Sequence, residues 1–163
     1  MMIKPKIEKA LNKQANGELN AFYSYLSMSA YFESLYMPGC AHWFKVQSNE
    51  EINHAMKLNE YLIARGGKVV LTALEAPKTQ WKSFLSIFEE AYEQELNVSA
   101  QINDLMDLAR SEHDHATEIM LQWFVTEQVE EEDTANSNVE RLKLIKNYTE
   151  GIVAFDRELG QRK

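Results

Sequence analysis

Long stretches of the chain repeat apolar residues at a helical spacing, and glycine and proline residues separate these stretches. Residues 6–35 are predicted to form a first long helix, which the Pro38-Gly39 pair ends. A second helix is predicted from about Ala41 to Arg65, where Gly66-Gly67 ends it. The first half of the chain is therefore predicted to be two long helices joined by a very short turn.

The middle of the chain lacks this helical period. Residues 68–80 contain Pro77 and a short β-like run, Val69-Val70-Leu71. A third helix is predicted from Trp81 to Arg110. We expect residues 67–80 to cross the length of the bundle, because about 14 extended residues at ~3.3 Å each can follow a helix of about 28 residues from end to end.

A fourth helix is predicted after the polar turn at residues 111–114, from an N-cap at Asp114 to about Tyr148. The segment after Gly151 is short and amphipathic, with apolar residues at Ile152, Phe155 and Leu159. Two short connections and one long crossover among four long helices are typical of an all-α four-helix bundle. Because no repeat or linker indicates a second domain, residues 1–163 are predicted to form one domain.

Acid or amide groups interrupt the apolar face of every long helix near its middle. They are Glu18 on the first helix, Glu51 on the second, Glu95 on the third, and Glu127, Gln128 and Glu131 on the fourth. Ionised carboxylates buried together repel one another and lose hydration, at a cost on the order of several kcal/mol each. Bound cations remove this conflict, so the pattern indicates a shared metal site at one level of the bundle.

The residue types at this level indicate the kind of metal. His54 follows Glu51 by three residues, so both side chains can reach one centre. Carboxylates with a single imidazole suit hard or borderline ions, and redox-active iron or manganese in particular. The alternative for any single acid is a boundary position of an apolar stripe, and an isolated E-x-x-H occurs often by chance. Agreement among four helices favours the metal site.

Composition bears on partners and compartment. The net charge of −8 argues against nucleic acid, which requires a basic face. No apolar run is long enough to span a membrane, and the start, Met1 to Lys6, lacks a secretory signal. Cys40 is the only cysteine, which excludes an internal disulfide and fits a reducing compartment. We therefore expect a cytoplasmic protein without nucleic-acid or membrane partners.

Several motifs resemble those of prokaryotic non-haem ferritins, over nearly the whole chain. They are Asn16-Gly17-Glu18 through Tyr25, Tyr31-Phe32-Glu33, Trp43 through Gln47, Glu50 through Lys57, Ala91 through Glu95, and Gln122 through Glu132. The resemblance implies a ferritin-like four-helix bundle with one long crossover and a short fifth C-terminal helix. It also implies iron storage: a ferroxidase oxidises Fe(II) with O2 or H2O2 and deposits Fe(III) mineral inside a shell of about 24 subunits.

The resemblance implies a role for each matched residue. The first iron is assigned to Glu18, Glu51 and His54; the second is assigned to Glu51 as a bridge, Glu95 and Glu131, with Gln128 beside it. A third, weaker iron site is matched by Glu50, Glu127 and Glu130. Tyr25 and Trp123 match aromatic residues next to the irons, with Tyr25 a candidate electron donor; core packing is the alternative for both.

The chain departs from haem-binding relatives at two positions. Bacterioferritin-like proteins have a second E-x-x-H on the fourth helix, where this chain has Gln128 and Glu131. They also place a haem-ligating methionine after the bridging glutamate, where this chain has Ile52. We therefore expect no haem.

Two other functions and two surfaces remain open at this point. A scaffold protein could bind metal without oxidising it, and a bundle oxygenase could use the same metals on organic substrates, although the chain is short for a substrate pocket. Two interpretations remain for the residues near the start of the fourth helix: they line a symmetry-axis pore, or they form a solvated turn. These residues are His113, Asp114, His115 and Glu118. Candidate exposed apolar contacts between subunits are Tyr31, Leu35 and Phe155.

Overall fold

The computed structural model describes residues 2–163 and contains five helices. They are α1 (Pro5–Ser34), α2 (Pro38–Ala64), α3 (Phe84–Ser111), α4 (His115–Ile145) and α5 (Thr149–Leu159). Within the described range there is no strand, so the predicted all-α class is confirmed. Helix α1 packs on α2 and α3 packs on α4, as the short connections predict. None of the described helices is long and apolar enough to cross a membrane.

Three helix ends differ from the prediction. Pro38 begins α2 rather than separating two helices, because the first turn of a helix needs no N–H from proline. Helix α3 begins after Ser83, whose hydroxyl accepts the Ser86 N–H at 3.1 Å, while Trp81 is buried in the core ahead of it. Helix α4 ends at Ile145. Its N-cap is Asp114, as predicted.

The β-like run of the crossover forms no strand, and asparagine side chains of α1 take the place of a partner strand. Asn12 donates to the Lys68 carbonyl at 2.8 Å and accepts the Val70 N–H at 2.7 Å. Asn16 donates to the Val70 carbonyl at 2.8 Å and accepts the Thr72 N–H at 2.9 Å. Each amide thus pairs with a C=O and an N–H two residues apart, as one residue of a parallel strand does.

The dimensions of a helix and an extended chain explain this repeat. Four helical residues rise by about 6.0 Å, and two extended residues advance by about 6.6 Å. Asparagines four residues apart therefore meet alternate residues of the crossover. Further along, Asn20 accepts the Glu75 N–H at 2.9 Å, and Ser27 donates to the Lys78 carbonyl at 2.7 Å. These contacts hold the crossover along α1 as it spans the bundle.

Two apolar clusters fill the bundle, and the acidic level lies between them. The Phe44 cluster includes Tyr25, Phe32, Phe44, Phe88, Ala91, Val139 and Leu142. The Leu58 cluster includes Leu11, Ala15, Leu58, Val98, Ile102, Leu121 and Phe124. Along α1, Glu18 lies between Ala15 of one cluster and Tyr25 of the other; along α3, Glu95 lies between Ala91 and Val98. The alternation places the acids of all four helices in one layer.

Helix α5 packs closely against the start of α2. A Cβ atom on Gly39 would lie 1.6 Å from the carbonyl oxygen of Asp156, so only glycine allows this approach. The Cys40 N–H donates to the Asp156 carboxylate at 2.8 Å. The last segment of the chain is therefore fixed to the end of the bundle.

The prediction that Phe155 is an exposed contact is wrong. Phe155 is buried in the Phe44 cluster, edge-on to Phe88 with ring centroids 5.5 Å apart. Because α5 folds back along α2, its apolar face turns inward. Of the other two candidates, Tyr31 is half-buried and Leu35 is exposed.

Candidate metal centre

Each of the four long helices contributes buried polar side chains to the layer between the apolar clusters. They are Glu18 of α1, Glu51 and His54 of α2, Glu95 of α3, and Gln128 and Glu131 of α4. All six are at most 7% exposed, whereas an isolated boundary residue keeps its carboxylate in water. Burial of every member makes the boundary-residue alternative untenable for these acids.

Glu18, Glu51 and His54 form the first compact group. One ligand atom from each lies within 4.8 Å of the other two. The Nδ1 atom of His54 is 3.2 Å from Oε2 of Glu51, as the three-residue spacing on one helix allows. Glu18 accepts a hydrogen bond from Gln14 at 2.8 Å on Oε1, but its Oε2 is buried with no partner. An unpaired buried carboxylate oxygen facing an acid and an imidazole fits a cation.

A second compact group shares His54 with the first. It consists of His54, Glu127 and Glu131, again with one ligand atom of each within 4.8 Å. Glu127 is half-buried. The sequence assigned His54 to the first iron and Glu127 to the accessory set, so the structure brings these two sets closer together than expected.

Glu95 is held from two sides rather than belonging to either compact group. The Tyr25 hydroxyl donates to its Oε1. The Gln128 amide donates to Oε2 and to the Glu95 carbonyl, both at 3.2 Å. These contacts orient the carboxylate toward the acidic layer, and they show that Tyr25 touches this acid besides packing in the core.

Burial and mutual repulsion raise the pKa of the acids. The pKa of Glu18 rises to about 8, first through burial and then through repulsion from Glu51. Burial and repulsion from Glu131 raise the pKa of Glu95 to about 7. Burial, followed by repulsion from Glu95 and Glu131, holds the pKa of Glu51 well above its ordinary range. Without a cation, ionisation of this layer is therefore unfavourable, and a bound metal removes that penalty.

The sequence analysis assigned no role to two glutamines that donate to acids of the layer. Gln14 donates to Glu18, and Gln47 donates to Oε2 of Glu131 at 2.7 Å. Each lies four residues before an acid of the layer, and this spacing places both side chains on one helix face. A search for polar residues four positions before Glu18 and Glu51 would have found both.

The three accessory acids are more exposed than the others. Glu50 and Glu127 are half-buried and Glu130 is exposed. The Glu50 carboxylate forms an ion pair with Arg162, a contact that the sequence analysis did not anticipate. Among residues 2–163, no compact metal-ligand group contains Glu50 or Glu130, so a shared accessory site stays a prediction.

Trp123 and the turn before α4 have simpler surroundings. The Trp123 ring is edge-on to His54, with centroids 5.5 Å apart, and the Lys57 ammonium lies over the ring, 4.1 Å from its centroid. Asp114 is buried and paired with Arg65 at 3.1 Å, so its carboxylate stabilises the fold. Glu118 accepts hydrogen bonds from Arg110 and His115. A symmetry-axis pore would involve neighbouring copies of the chain, so both interpretations of this turn stay predictions.

An all-α bundle with buried carboxylates and an imidazole between its helices defines the class of metal-binding four-helix bundles. The Ferritin family model, described as a ferritin-like domain, matches residues 8–145. The chain belongs to the ferritin family. This membership supports iron binding and iron storage, and it confirms the resemblance noted in the motifs.

Relatives and solved structures agree over the full length. A bacterial non-heme ferritin of Bacteroides fragilis is 42% identical over 161 residues, covering 99% of this chain and 100% of that protein. One from Staphylococcus epidermidis is 34% identical, covering 99% and 97%. An open-pore ferritin from Archaeoglobus fulgidus superimposes with a TM-score of 0.97 at 44% identity, covering 99% of both chains. The ferritin-like fold predicted from the motifs is therefore confirmed.

Proposed function

We propose that this protein stores iron by binding Fe(II) in the buried acidic layer and oxidising it there. The observation that carries the proposal is the layer itself: four helices bury four carboxylates and an imidazole together, and one oxygen of Glu18 accepts from no donor of the chain. Cations are the partners that such a group needs. Fe(II) is the substrate and Fe(III) the product to be stored.

In this proposal two irons bind side by side. Glu18, Glu51 and His54 hold the first, and their mutual distances support that role. Glu51 bridges to the second, which Glu95 and Glu131 hold. The amide of Gln128 orients Glu95 and donates no charge, so it adjusts the second position rather than creating it.

The oxidation needs two electrons, and two irons supply one each. With O2 as oxidant, two Fe(II) lose two electrons, and O2 gains these with two protons to become H2O2. With H2O2 as oxidant, the same two electrons and two protons yield two water molecules. The carboxylates stabilise the higher charge of Fe(III), which lowers the barrier to electron loss. Tyr25 lies against Glu95 and is the proposed electron donor when only one Fe(II) is bound: its phenol then supplies the second electron together with one proton.

Product Fe(III) leaves through the half-exposed acids in this proposal. Glu50, Glu127 and Glu130 would form a third, weaker site beside the pair, and His54 and Glu131 connect Glu127 to the buried acids. Greater exposure of these acids weakens their hold on a cation. The site therefore suits transfer rather than retention.

We also propose that residues 1–163 form one domain that assembles into a cytoplasmic shell of about 24 copies, with mineral in its cavity. Support comes from apolar side chains left on the surface of the isolated chain. Val70 and Leu71 of the crossover, Ile63 of α2 and Leu35 beyond α1 are all more than a third exposed. Contacts with neighbouring copies would bury them.

Aerobic addition of Fe(II) to the metal-free protein, followed by absorbance and particle sizing, tests the proposal. We expect rapid oxidation at two Fe(II) per subunit, then an iron-filled particle whose protein shell keeps its size. A scaffold would bind Fe(II) without fast oxidation. A bundle oxygenase would consume O2 only with an organic co-substrate and build no mineral. Either result would overturn the proposed function.

A further inference from the structure

The last residues of the chain return from α5 to the acidic layer. The Arg162 guanidinium donates to the Glu50 carboxylate and to the Gln47 side-chain oxygen, the latter at 2.8 Å. It also lies over the Trp43 ring, 4.6 Å from the centroid. The Arg162 carbonyl oxygen is 2.8 Å from Nε2 of His42. The guanidinium also donates to the Trp43 carbonyl at 3.5 Å, so five contacts hold Arg162 against the N-terminal half of α2.

The contact with Gln47 extends to the buried acids. Because the Gln47 oxygen accepts from Arg162, its amide nitrogen faces the other way and donates to Glu131 at 2.7 Å. Arg162 therefore fixes which end of this buried amide meets the acid. The Arg162 guanidinium thus orients Glu50 by direct contact, and it orients Glu131 indirectly, through Gln47.

The positive charge of Arg162 competes with a metal cation for the Glu50 carboxylate. In the metal-free centre the guanidinium neutralises part of the negative charge around Glu50. A divalent cation binding the same carboxylate would compete for its oxygens and repel the guanidinium. The arginine is about one-fifth exposed and lies beyond the last residue of α5, so its release into water breaks only its own contacts with α2.

We propose that Arg162 is a positioning residue that serves as a displaceable counter-cation: it holds Glu50 and Gln47 in the metal-free protein and is released when a divalent cation binds Glu50. This inference rests on the proposed role of Glu50 in an accessory metal site. It adds a regulatory consequence, because occupancy of that site is reported by the position of the C-terminal tail.

Hydrogen–deuterium exchange of the assembled, metal-free protein tests the release. We expect residues 157–163 to exchange several-fold faster after saturation with Co(II), which binds without being oxidised by O2 on this timescale. In Glu50→Gln, Co(II) should leave tail exchange unchanged. If saturating Co(II) leaves the tail of the wild type equally protected, or if no Co(II) binds beyond the buried pair, the inference is wrong.

Affinity measurements on Arg162→Gln supply the second test. Removing the competing charge should strengthen the weakest class of Co(II) site by about tenfold, as expected for one nearby unit charge in a partly exposed site. Arg157→Gln is the matched control, because it removes an exposed arginine from the last turn of α5 and should leave every Co(II) affinity within about twofold. Unchanged or weaker binding in Arg162→Gln would overturn the inference.

The two proposals fail separately. Fe(II) oxidation by the wild type is measured in parallel at two Fe(II) per subunit. Slow oxidation with Co(II)-linked tail release would reject the ferroxidase and keep the role of Arg162. Fast oxidation, together with tail exchange that Co(II) leaves unchanged, would keep the ferroxidase and reject the role of Arg162.

Discussion

Helix α1 carries two sets of buried polar side chains in opposite states. Asn12 and Asn16 use both their amide oxygen and their amide nitrogen on the crossover backbone. Glu18, only two residues after Asn16, has one buried carboxylate oxygen with no partner. The two asparagines that hold the crossover are therefore fully paired within the chain. This oxygen of Glu18 lacks a donor in the chain, and we interpret it as a ligand for iron.

The two sets should therefore respond oppositely to substitution. Each net hydrogen bond of an asparagine contributes about 1 kcal/mol to stability, and removing one leaves backbone groups unpaired. An acid of the layer repels its neighbours in the metal-free state, so its loss relieves strain. Asparagine variants should lose stability and keep oxidation, whereas acid variants should do the reverse.

The largest effect is expected from the four acids and the histidine proposed to hold the two irons. Alanine at Glu18, Glu51, His54, Glu95 or Glu131 should slow Fe(II) oxidation on the order of a hundredfold, because a ligand of the developing Fe(III) charge is lost. Stopped-flow absorbance at two Fe(II) per subunit measures this rate, and thermal melts of the metal-free variants should show no loss of stability. Glu93→Ala, an exposed acid of α3, is the control.

Variants of the accessory acids test whether these positions matter less for the first oxidation than the primary ones. Alanine at Glu50, Glu127 or Glu130 should alter iron release or the oxidant used per iron and leave the first turnover intact. Loss of the first turnover in Glu130→Ala, together with normal oxidation in Glu18→Ala, would reverse our assignment of primary and accessory positions.

The pH dependence of stability should be inverted relative to a protein with paired acids. Since the pKa of Glu18 is about 8 and that of Glu95 about 7, against an ordinary 4.5, the folded metal-free chain holds more protons than the unfolded chain in this range. These acids therefore stabilise the fold at low pH, and that contribution is lost as the pH rises toward 8. We expect the free energy of unfolding to fall by on the order of 5 kcal/mol between pH 5.5 and 8.

Chemical denaturation of the metal-free protein at several pH values measures this slope. The pKa of Asp114 is lowered, so this structural acid stays ionised throughout the range. The double variant Glu18→Gln/Glu95→Gln should flatten the slope, while Glu93→Gln should keep it. A slope that persists in the double variant would show that other groups cause it.

The asparagine ladder gives the next largest effect. Asn16→Ala removes the bonds to the Val70 carbonyl and the Thr72 N–H, so the free energy of unfolding should fall by roughly 2 kcal/mol. The Fe(II) oxidation rate should stay within about twofold of wild type. Asn97→Ala, at an exposed position of α3, is the matched control for both measurements. A large loss of Fe(II) oxidation in Asn16→Ala would contradict the separation between asparagines that stabilise the fold and acids that bind iron.

The smallest effect belongs to the amide that orients Glu95. Gln128→Ala should slow oxidation by about fivefold, because the carboxylate loses a hydrogen bond but the charge of the centre is unchanged. The same stopped-flow assay compares it with Glu131→Ala. An equal loss in both variants would make Gln128 as important as a charged ligand.

Helix periodicity was enough to predict the four long helices and their buried acids, since each acid breaks a repeating pattern that one sequence displays. The ladder of Asn12 and Asn16 was not foreseen, because its partners are backbone groups that only the folded crossover brings alongside α1. The same holds for Phe155 and Arg162, which depend on α5 folding back along α2. Contacts between distant segments leave no periodic signal.

Anomalous diffraction from crystals of the protein soaked anaerobically in Fe(II) tests the central claim most directly. The account predicts two iron peaks inside the bundle, one among Glu18, Glu51 and His54, and a second among Glu51, Glu95 and Glu131. Glu51→Ala crystals treated in the same way should lose both peaks or keep one weakly. Strong iron peaks only at exposed surface acids, with none between the helices of the wild type, would contradict the account.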